Sequence, residues 1–271
     1  MAAAAPAAQP EAQAPAEPVF RARGLGYTYP SGLRVLDGID LDLRPGEIVS
    51  VVGPSGCGKS TLLTLIAELA RPTDGSLAWD PGLSPAEDRG RRRLSMVFQR
   101  DTVFPWRTVQ KNLQFGMECT GVSKQERRER SASLLKLGKL EGFARSYPGA
   151  LSGGMRRRLA LLVGLSVNPS VLLLDEPFSA LDEPTRIELL VDVLKLVYEY
   201  RVSVVLVTHD LGEAISVSDR VVVMTKRPAT TRRVVETGFG HDRDLLTIRE
   251  TPRYSELYGE LWHELWSEIR A

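Results

Sequence analysis

A glycine-rich segment that carries one lysine and one serine is the part of the chain whose residue types point most directly to chemistry. From Gly53 to Ser60 the sequence reads G-P-S-G-C-G-K-S, which fits the pattern G-x-x-x-x-G-K-[ST]. In such a loop the backbone N–H groups surround phosphates, Lys59 reaches the β- and γ-phosphates, and Ser60 ligates Mg²⁺. The predicted nucleotide-binding residues of this segment are Gly53, Pro54, Ser55, Gly56, Cys57, Gly58, Lys59, Ser60 and Thr61.

A pair of acidic residues forms the second candidate. Asp175 and Glu176 directly follow the apolar run Val171–Leu174. At the end of a buried strand, Asp175 is predicted to be the protein partner of Mg²⁺. Glu176, on the turn that leaves the strand, is predicted to reach an attacking water as its general base. An acidic pair in this position is also common as a helix cap, so the phosphate loop upstream is what favours the catalytic interpretation.

The elements around these residues predict an α/β fold. Glu47–Val52 is a short apolar run that ends at the phosphate loop, and Lys59–Leu69 has apolar residues at helical spacing. Val171–Leu174 and Val204–Val207 are continuous apolar runs followed at once by polar residues, as central parallel strands are. The chemistry is therefore expected at the C-terminal edge of a parallel sheet.

Three further regions are predicted to surround this core. Phe20–Tyr27 and Val35–Leu43 alternate apolar and polar side chains in part, which predicts a small antiparallel β-layer. Val109–Gly142 is rich in Lys, Glu, Arg and Leu and lacks proline, which predicts a helical insert. Thr251–Ala271 places apolar residues at four-residue steps beside two tryptophans, as in an amphipathic helix. We expect this helix to pack on the chain's own core, with a partner surface as the alternative.

Composition and the distribution of apolar residues argue against a nucleic-acid-binding, a membrane-spanning, a secreted or a zinc-binding protein. The 271 residues are 43% hydrophobic and carry a formal charge of +1, so no long-range field favours nucleic acid or an anionic membrane. No apolar stretch approaches the roughly 18 to 20 residues of a membrane span. Met1–Pro18 has no lysine or arginine and reads as a disordered tail rather than a secretory signal. Cys57 and Cys119 are too few for a disulfide framework or a zinc site, and a cytoplasmic location is expected.

A second glycine-rich segment lies between the phosphate loop and the acidic pair. Leu151–Arg156 reads L-S-G-G-M-R, which resembles the LSGGQ signature of the ABC ATPase family. The resemblance implies a phosphate-loop NTPase core with an antiparallel β-layer and a helical insert, and ATP and Mg²⁺ as cofactors. It also implies that Ser152, Gly153 and Gly154 contact the ATP bound to a second copy.

Other positions match the same family. Gln99 resembles the glutamine that contacts Mg²⁺ or the attacking water, and Asp182 resembles the D-loop aspartate, which communicates across the dimer. His209 resembles the switch histidine that touches the γ-phosphate. Tyr29 resembles the aromatic residue on which adenine stacks, with its neighbour Tyr27 as the competing candidate.

Two segments resemble one branch of the family. The DEPF sequence that ends at Phe178 resembles importer ATPases, whereas the FPWRTV sequence from Phe104 and the Gly154-Met155 variant of the signature both resemble nitrate, sulfonate and taurine-type importers. Phe104 and Trp106 are predicted either to fill the core of the helical insert or to line a groove that receives a short permease helix. Leu161–Leu165 departs from the family's Ala-Arg-Ala, which puts local salt bridging in doubt but not ATP binding.

The resemblance also implies an organisation. It divides the chain into a tail at 1–18, an ATPase domain at 19–240 with a helical subdomain at about 100–165, and a helical extension at 241–271. Two copies, or this chain and a paired ATPase subunit, would enclose two ATP molecules at the cytoplasmic face of the membrane. They would lie under transmembrane permease subunits that receive their cargo from an extracytoplasmic substrate-binding protein. A soluble ABC ATPase and a non-hydrolysing regulatory domain are the alternatives.

Two runs of arginine remain outside the motifs described above. Arg89–Arg93 is short and has no interleaved aromatic residues, so it predicts a solvated loop and no nucleic-acid partner. Arg156–Arg158 follows the signature and is predicted to lie on the surface or to steer phosphates.

Overall fold

The computed structural model describes residues 17–81, 83, 94–99, 102–179 and 181–270. Most of the predicted N-terminal tail and all of Arg89–Arg93 lie outside the described residues, as does one residue of the predicted D-loop, Ala180.

A small antiparallel sheet forms the first layer. It consists of β1 (Phe20–Thr28), β2 (Arg34–Leu43) and β4 (Asp74–Trp79), in the order β2-β1-β4. The two strands predicted from alternation are confirmed. The third, β4, was not predicted, because its six residues D-G-S-L-A-W are exposed or half-buried and carry little apolar periodicity.

A six-stranded sheet forms the core. Its members are β3 (Ile48–Val52), β5 (Leu94–Val97), β6 (Val171–Asp175), β7 (Ser203–Val207), β8 (Arg220–Met224) and β9 (Thr231–Glu236). The order is β5-β6-β7-β3-β8-β9, and only the β8–β9 pair is antiparallel. Every residue of β3, β6, β7 and β8 is buried, which explains why these strands read as continuous apolar runs rather than alternating ones.

Seven α-helices cover the sheets within the described residues. They are α1 (Lys59–Ile66), α2 (Val109–Cys119), α3 (Lys124–Leu137), α4 (Gly153–Ser166), α5 (Glu183–Glu199), α6 (Leu211–Val217) and α7 (Pro252–Arg270). Helices α2 and α3 lie within the segment predicted to be a helical insert, and α2 packs against α4. Helix α1 ends three residues before the predicted Leu69. Glu68 has a positive φ of 55°, which turns the chain out of the helix and leaves Leu69 exposed.

The last helix, α7, has two different faces. Leu257 and Leu261 are fully buried against α6 and β8, so the prediction that the helix packs on the chain's own core is confirmed. Four aromatic rings also stack along the helix at four-residue steps, with centroids 6.1, 6.3 and 5.7 Å apart: the half-buried Tyr254 and the exposed Tyr258, Trp262 and Trp266. None of the helices in the described ranges is long and apolar enough to cross a bilayer.

Candidate functional site

The C-terminal ends of the central strands open into one cavity of about 560 Å³. The Gly53–Ser60 loop joins β3 to α1, and the ends of β6 and β7 lie beside it. The cavity is lined by Tyr29, Leu33, Val35, Ser55, Gly56, Gly58, Lys59, Ser60, Thr61, Gln99, Glu176, His209 and Arg227. Six of the nine predicted loop residues are therefore in the lining.

Lys59 is held inside the loop. Its side chain is only 6% exposed, and its Nζ donates hydrogen bonds to the carbonyl oxygens of Gly53 (2.8 Å) and Pro54 (3.1 Å). Gly58 has φ = +120°, and a Cβ there would lie 2.5 Å from Val35 Cγ1, so the loop can close only over glycine. The loop thus holds a positive charge beside the N-terminus of α1, as an anion-binding site requires.

Cys57 does not line the cavity, although it belongs to the loop. Its side chain is 1% exposed and packs in the core between the two sheets, and burial raises the pKa of the thiol. Gly53 and Pro54 likewise take part through their carbonyl groups, which accept from Lys59. The pattern G-x-x-x-x-G-K-S states which residues form the loop but not which side chains turn inward.

Ser60 and Asp175 meet where a phosphate-bound metal would be held. Ser60 Oγ donates to Asp175 Oδ1 at 3.0 Å. Burial raises the pKa of Asp175, and the hydrogen bond from Ser60 opposes that rise. A hydroxyl and a carboxylate at the edge of a phosphate loop are the hard oxygen ligands that Mg²⁺ prefers, so these residues fit the ion predicted from the sequence.

Gln99 and His209 both contact one carboxylate oxygen of Glu176. Glu176 Oε2 accepts from Gln99 Nε2 at 3.0 Å and lies 3.1 Å from His209 Nδ1. The backbone of Glu176 has φ = +45°, a conformation that costs a non-glycine residue about 1–3 kcal/mol, and its N–H donates to Val207 O at 2.8 Å. These three residues form one polar cluster, although Glu176 lies 77 positions after Gln99 and 33 positions before His209 in the sequence.

The two tyrosine candidates occupy different places. Tyr29 lines the cavity, and its hydroxyl lies 3.0 Å from Thr61 Oγ1. Tyr27 is packed on the buried core of the antiparallel layer and meets the Tyr29 ring edge-on, with centroids 5.0 Å apart. The geometry favours Tyr29 as the ring offered to a base.

The signature segment lies apart from the cavity of its own chain. Ser152 caps α4 by accepting from Met155 N at 3.3 Å, and both Ser152 and Gly153 are exposed. Of the described residues that line the cavity, none comes from the signature. A Cβ at Gly154 would lie 3.2 Å from Thr185 Cγ2.

Asp182 begins the next helix, α5. Its carboxylate accepts from Thr185 N (3.3 Å) and Thr185 Oγ1 (3.0 Å), and these hydrogen bonds lower its pKa. Its contacts within the chain are those of a helix cap.

The Phe104-Pro-Trp segment divides between the inside and the surface. Phe104 is half-buried and packs edge-on against Phe115, with centroids 4.7 Å apart. Trp106 is 71% exposed, so the prediction that it fills the core of the insert is wrong. The buried side chain of Asn112, which was not singled out in the sequence, holds this loop by accepting from Phe104 N and donating to three backbone carbonyl groups.

Arg157 is a residue of the site that sequence reasoning missed. The run Arg156–Arg158 was predicted to lie on the surface or to steer phosphates, yet Arg157 is buried. Its guanidinium donates to the carbonyl oxygens of Phe98 (3.0 Å), Gln99 (2.7 Å) and Glu176 (2.8 Å), and also to that of Pro177. A run of three arginines on a helix cannot by itself show which one faces inward. The buried side of α4, with Leu161 and Gly164, was the available signal.

A buried carboxyl group follows His209 by four residues. Glu213 on α6 is 2% exposed, and burial, reinforced by the nearby charge of Asp210, raises its pKa to about 8. Among the described residues, its Oε1 has no hydrogen-bond partner. Asp210 is itself paired with Arg186 at 2.6 Å. The burial of Glu213 was not predicted, because nothing in the sequence around it indicates a buried acid.

Comparisons with known proteins agree on one family. The family model for ABC transporters matches residues 36–179. An aliphatic sulfonates import ATP-binding protein of Pseudomonas syringae pv. syringae is 44% identical over 216 residues, which cover 79% of this chain and 84% of that protein. A nitrate import ATP-binding protein of Synechococcus elongatus is 40% identical over 227 residues, which cover 82% of this chain but 34% of that protein.

A solved structure extends the agreement to three dimensions. The dimeric, post-hydrolysis structure of an ATP-binding cassette bound to ADP and Pi matches with a TM-score of 0.71 and 32% sequence identity, over 80% of this chain and 98% of that one. The chain has the ABC ATPase fold and belongs to the ABC transporter family, as an ATP-binding subunit that hydrolyses ATP.

Replacing Arg157 tests whether it positions the catalytic segment. Arg157→Met removes the hydrogen bonds to four carbonyl groups, and we expect a loss of about 2–4 kcal/mol of stability together with a lower kcat. Arg158→Met, on the next residue, is the control, because Arg158 contacts Gly138 and Glu188 outside the site. Denaturant unfolding and steady-state ATPase assays are the measurements. An unchanged kcat in folded Arg157→Met protein would contradict the positioning role.

Glu213 predicts a pH dependence of stability. Between its ordinary pKa of 4.5 and the folded value of about 8, the folded chain keeps a proton that the unfolded chain releases. The free energy of unfolding should therefore fall as pH rises through this window. Glu213→Gln removes the titration, so its unfolding curves should vary less with pH than those of the parent, whereas the exposed Glu199→Gln should follow the parent. Parallel slopes for all three proteins would refute the assignment.

Proposed function

We propose that this chain is the ATPase of an importer for small anionic or organic solutes of the nitrate, sulfonate or taurine type. The observation that carries the ATPase site is the meeting of Gln99, Glu176 and His209 beside the Ser60–Asp175 pair. Support for the cargo class comes from the relatives named as nitrate and aliphatic sulfonate import proteins, from the FPWRTV segment and from the Gly154-Met155 variant of the signature, while the DEPF segment supports an importer in general.

In the proposed mechanism the phosphate loop binds the β- and γ-phosphates through its N–H groups and Lys59. Ser60, Asp175 and Gln99 would hold Mg²⁺, which when bound neutralises charge on the phosphates. Glu176 orients the attacking water and takes its proton, and His209 contacts the γ-phosphate. Tyr29 stacks on the adenine.

Two copies are proposed to complete each site. Ser152, Gly153 and Gly154 lie at the N-terminus of α4, where exposed backbone N–H groups favour an anion. Because they do not line the cavity of their own chain, the ATP that they contact is proposed to be the partner copy's. Asp182 would lie at the same interface, and closure on ATP with opening after hydrolysis would drive the permease.

The permease is proposed to dock beside the helical subdomain, at about 100–165. Among the described residues of this subdomain Trp106 is the most exposed aromatic group, and it lies on a loop that is fixed by Asn112 and that follows Gln99 in the chain. Phe104 would support it from beneath, since the two rings are 5.3 Å apart. The ATPase domain at 19–240 would therefore lie at the cytoplasmic face of the membrane, with 241–271 as a helical extension and a binding protein supplying the cargo.

Glu176→Gln tests the catalytic assignment. We expect ATP binding to be retained and turnover to fall by about 10²-fold or more, because the carboxamide keeps the shape but cannot accept the proton. Lys59→Ala is the contrasting variant, in which nucleotide binding itself should weaken. Equilibrium binding of ATP and the rate of phosphate release are measured on both proteins. Normal turnover in Glu176→Gln would reject Glu176 as the base.

Trp106→Ala tests the docking proposal. Because Trp106 is exposed, the melting temperature and the basal ATPase rate should not change, whereas co-purification with the co-expressed permease and transport should fall. A buried aromatic anchor at an interface contributes about 2 kcal/mol. Tyr200→Ala, another exposed aromatic residue at the end of α5, is the control. Normal transport by Trp106→Ala would exclude it as an anchor.

A further inference from the structure

One basic side chain in the cavity has no part in the mechanism above. Arg227 lines the cavity and is exposed. Its side chain makes no hydrogen bond or ion pair with any residue in the part of the chain that the structure describes. Arg34, on β2, is by contrast paired with Asp37 at 2.7 Å. Arg227 is thus a cation in the cavity, and its guanidinium N–H groups are available to a bound ligand.

The backbone that carries Arg227 is held in place. Residues 225–230 connect β8 to β9, and this turn is closed by hydrogen bonds from Thr225 N to Thr230 O (3.1 Å) and from Thr230 N to Thr225 Oγ1 (2.9 Å). Because these hydrogen bonds close the turn, the fold sets the backbone position of Arg227 beside the cavity.

Contacts with β2 place this turn at one end of the cavity. Ala229 N donates to Val35 O and Asp37 N donates to Ala229 O, both at 2.8 Å. Strand β2 follows the turn that contains Tyr29 and Leu33, and these two side chains line the cavity with Val35. Tyr29 is the group proposed to stack on the base. The strand that carries Val35 therefore brings Arg227 to the base end.

The chemistry of a guanidinium suits that end of a nucleotide. Its planar face can stack on a purine ring, and its N–H groups can donate to ring nitrogens and ribose oxygens. The phosphate end already has Lys59 and the N-terminus of α1.

We propose that Arg227 binds the nucleoside part of the nucleotide and completes the base end begun by Tyr29. This inference rests on the proposed function, since it takes the phosphates to lie in the Gly53–Ser60 loop. It assigns a ligand contact to a turn outside the phosphate loop, the acidic strand and the signature.

Two ligands separate the nucleoside from the phosphates. Binding of ADP and of inorganic tripolyphosphate is measured by calorimetry on the parent chain, on Arg227→Ala and on Lys226→Ala. Lys226 is the matched control, because it is the adjacent exposed cation on the same turn but does not line the cavity. For Arg227→Ala we expect ADP affinity to fall roughly five- to tenfold, as loss of a contact of this kind implies, with tripolyphosphate affinity unchanged. Lys226→Ala should bind both ligands as the parent does.

Each other result has a definite meaning. Unchanged ADP affinity in Arg227→Ala would overturn the proposal, as would an equal loss for Lys226→Ala. An equal loss of tripolyphosphate affinity in Arg227→Ala would overturn it as well, because the arginine would then be a phosphate ligand. Failure of the parent chain to bind either ligand would instead reject the phosphate site, and with it the function on which the proposal rests.

Discussion

Parallel hydrogen bonding between β6, β7 and β3 holds Asp175, Val207 and Val51 in one row across the sheet. Each strand ends within one residue of that row. As a result the phosphate loop, the acidic pair and His209 all leave the sheet at the same edge. The remaining parts of the site, Gln99 and Tyr29, are brought to that edge by the chain after β5 and by the antiparallel layer.

The edge needs further support, because Glu176 has an unfavourable backbone conformation. Its N–H is bonded to Val207 O and its carbonyl to Arg157, so neighbouring groups offset the cost of the positive φ. The same guanidinium binds Gln99 O. Arg157, on the helix α4 that begins at the signature, thus links Gln99 and Glu176, the two residues that face the proposed attacking water. A movement of α4 would therefore displace the backbone of Gln99 and that of Glu176 together.

The surfaces proposed to face other molecules have little internal packing. Trp106 projects from a loop held by Asn112, and Ser152 and Gly153 are exposed at the start of α4. Arg227 is likewise exposed, although its turn is tightly bonded. In each case a rigid backbone presents a side chain or N–H groups that the chain itself leaves available. Such an arrangement suits binding, because little ordering is needed when the ligand or partner arrives.

The sequence by itself determined the fold class, the phosphate loop, the acidic pair and the family. The first three follow from local spacing and from apolar runs, which one strand or one loop is enough to produce, and the family from the resemblance of Leu151–Arg156 to its signature. Only the tertiary structure decided that Cys57 turns into the core, that Arg157 rather than its neighbours is buried, and that Trp106 is exposed. It also joined Arg227 to the cavity through strand pairs far apart in sequence. The direction of a side chain depends on which elements pack around it, and that packing cannot be read from neighbouring residues alone.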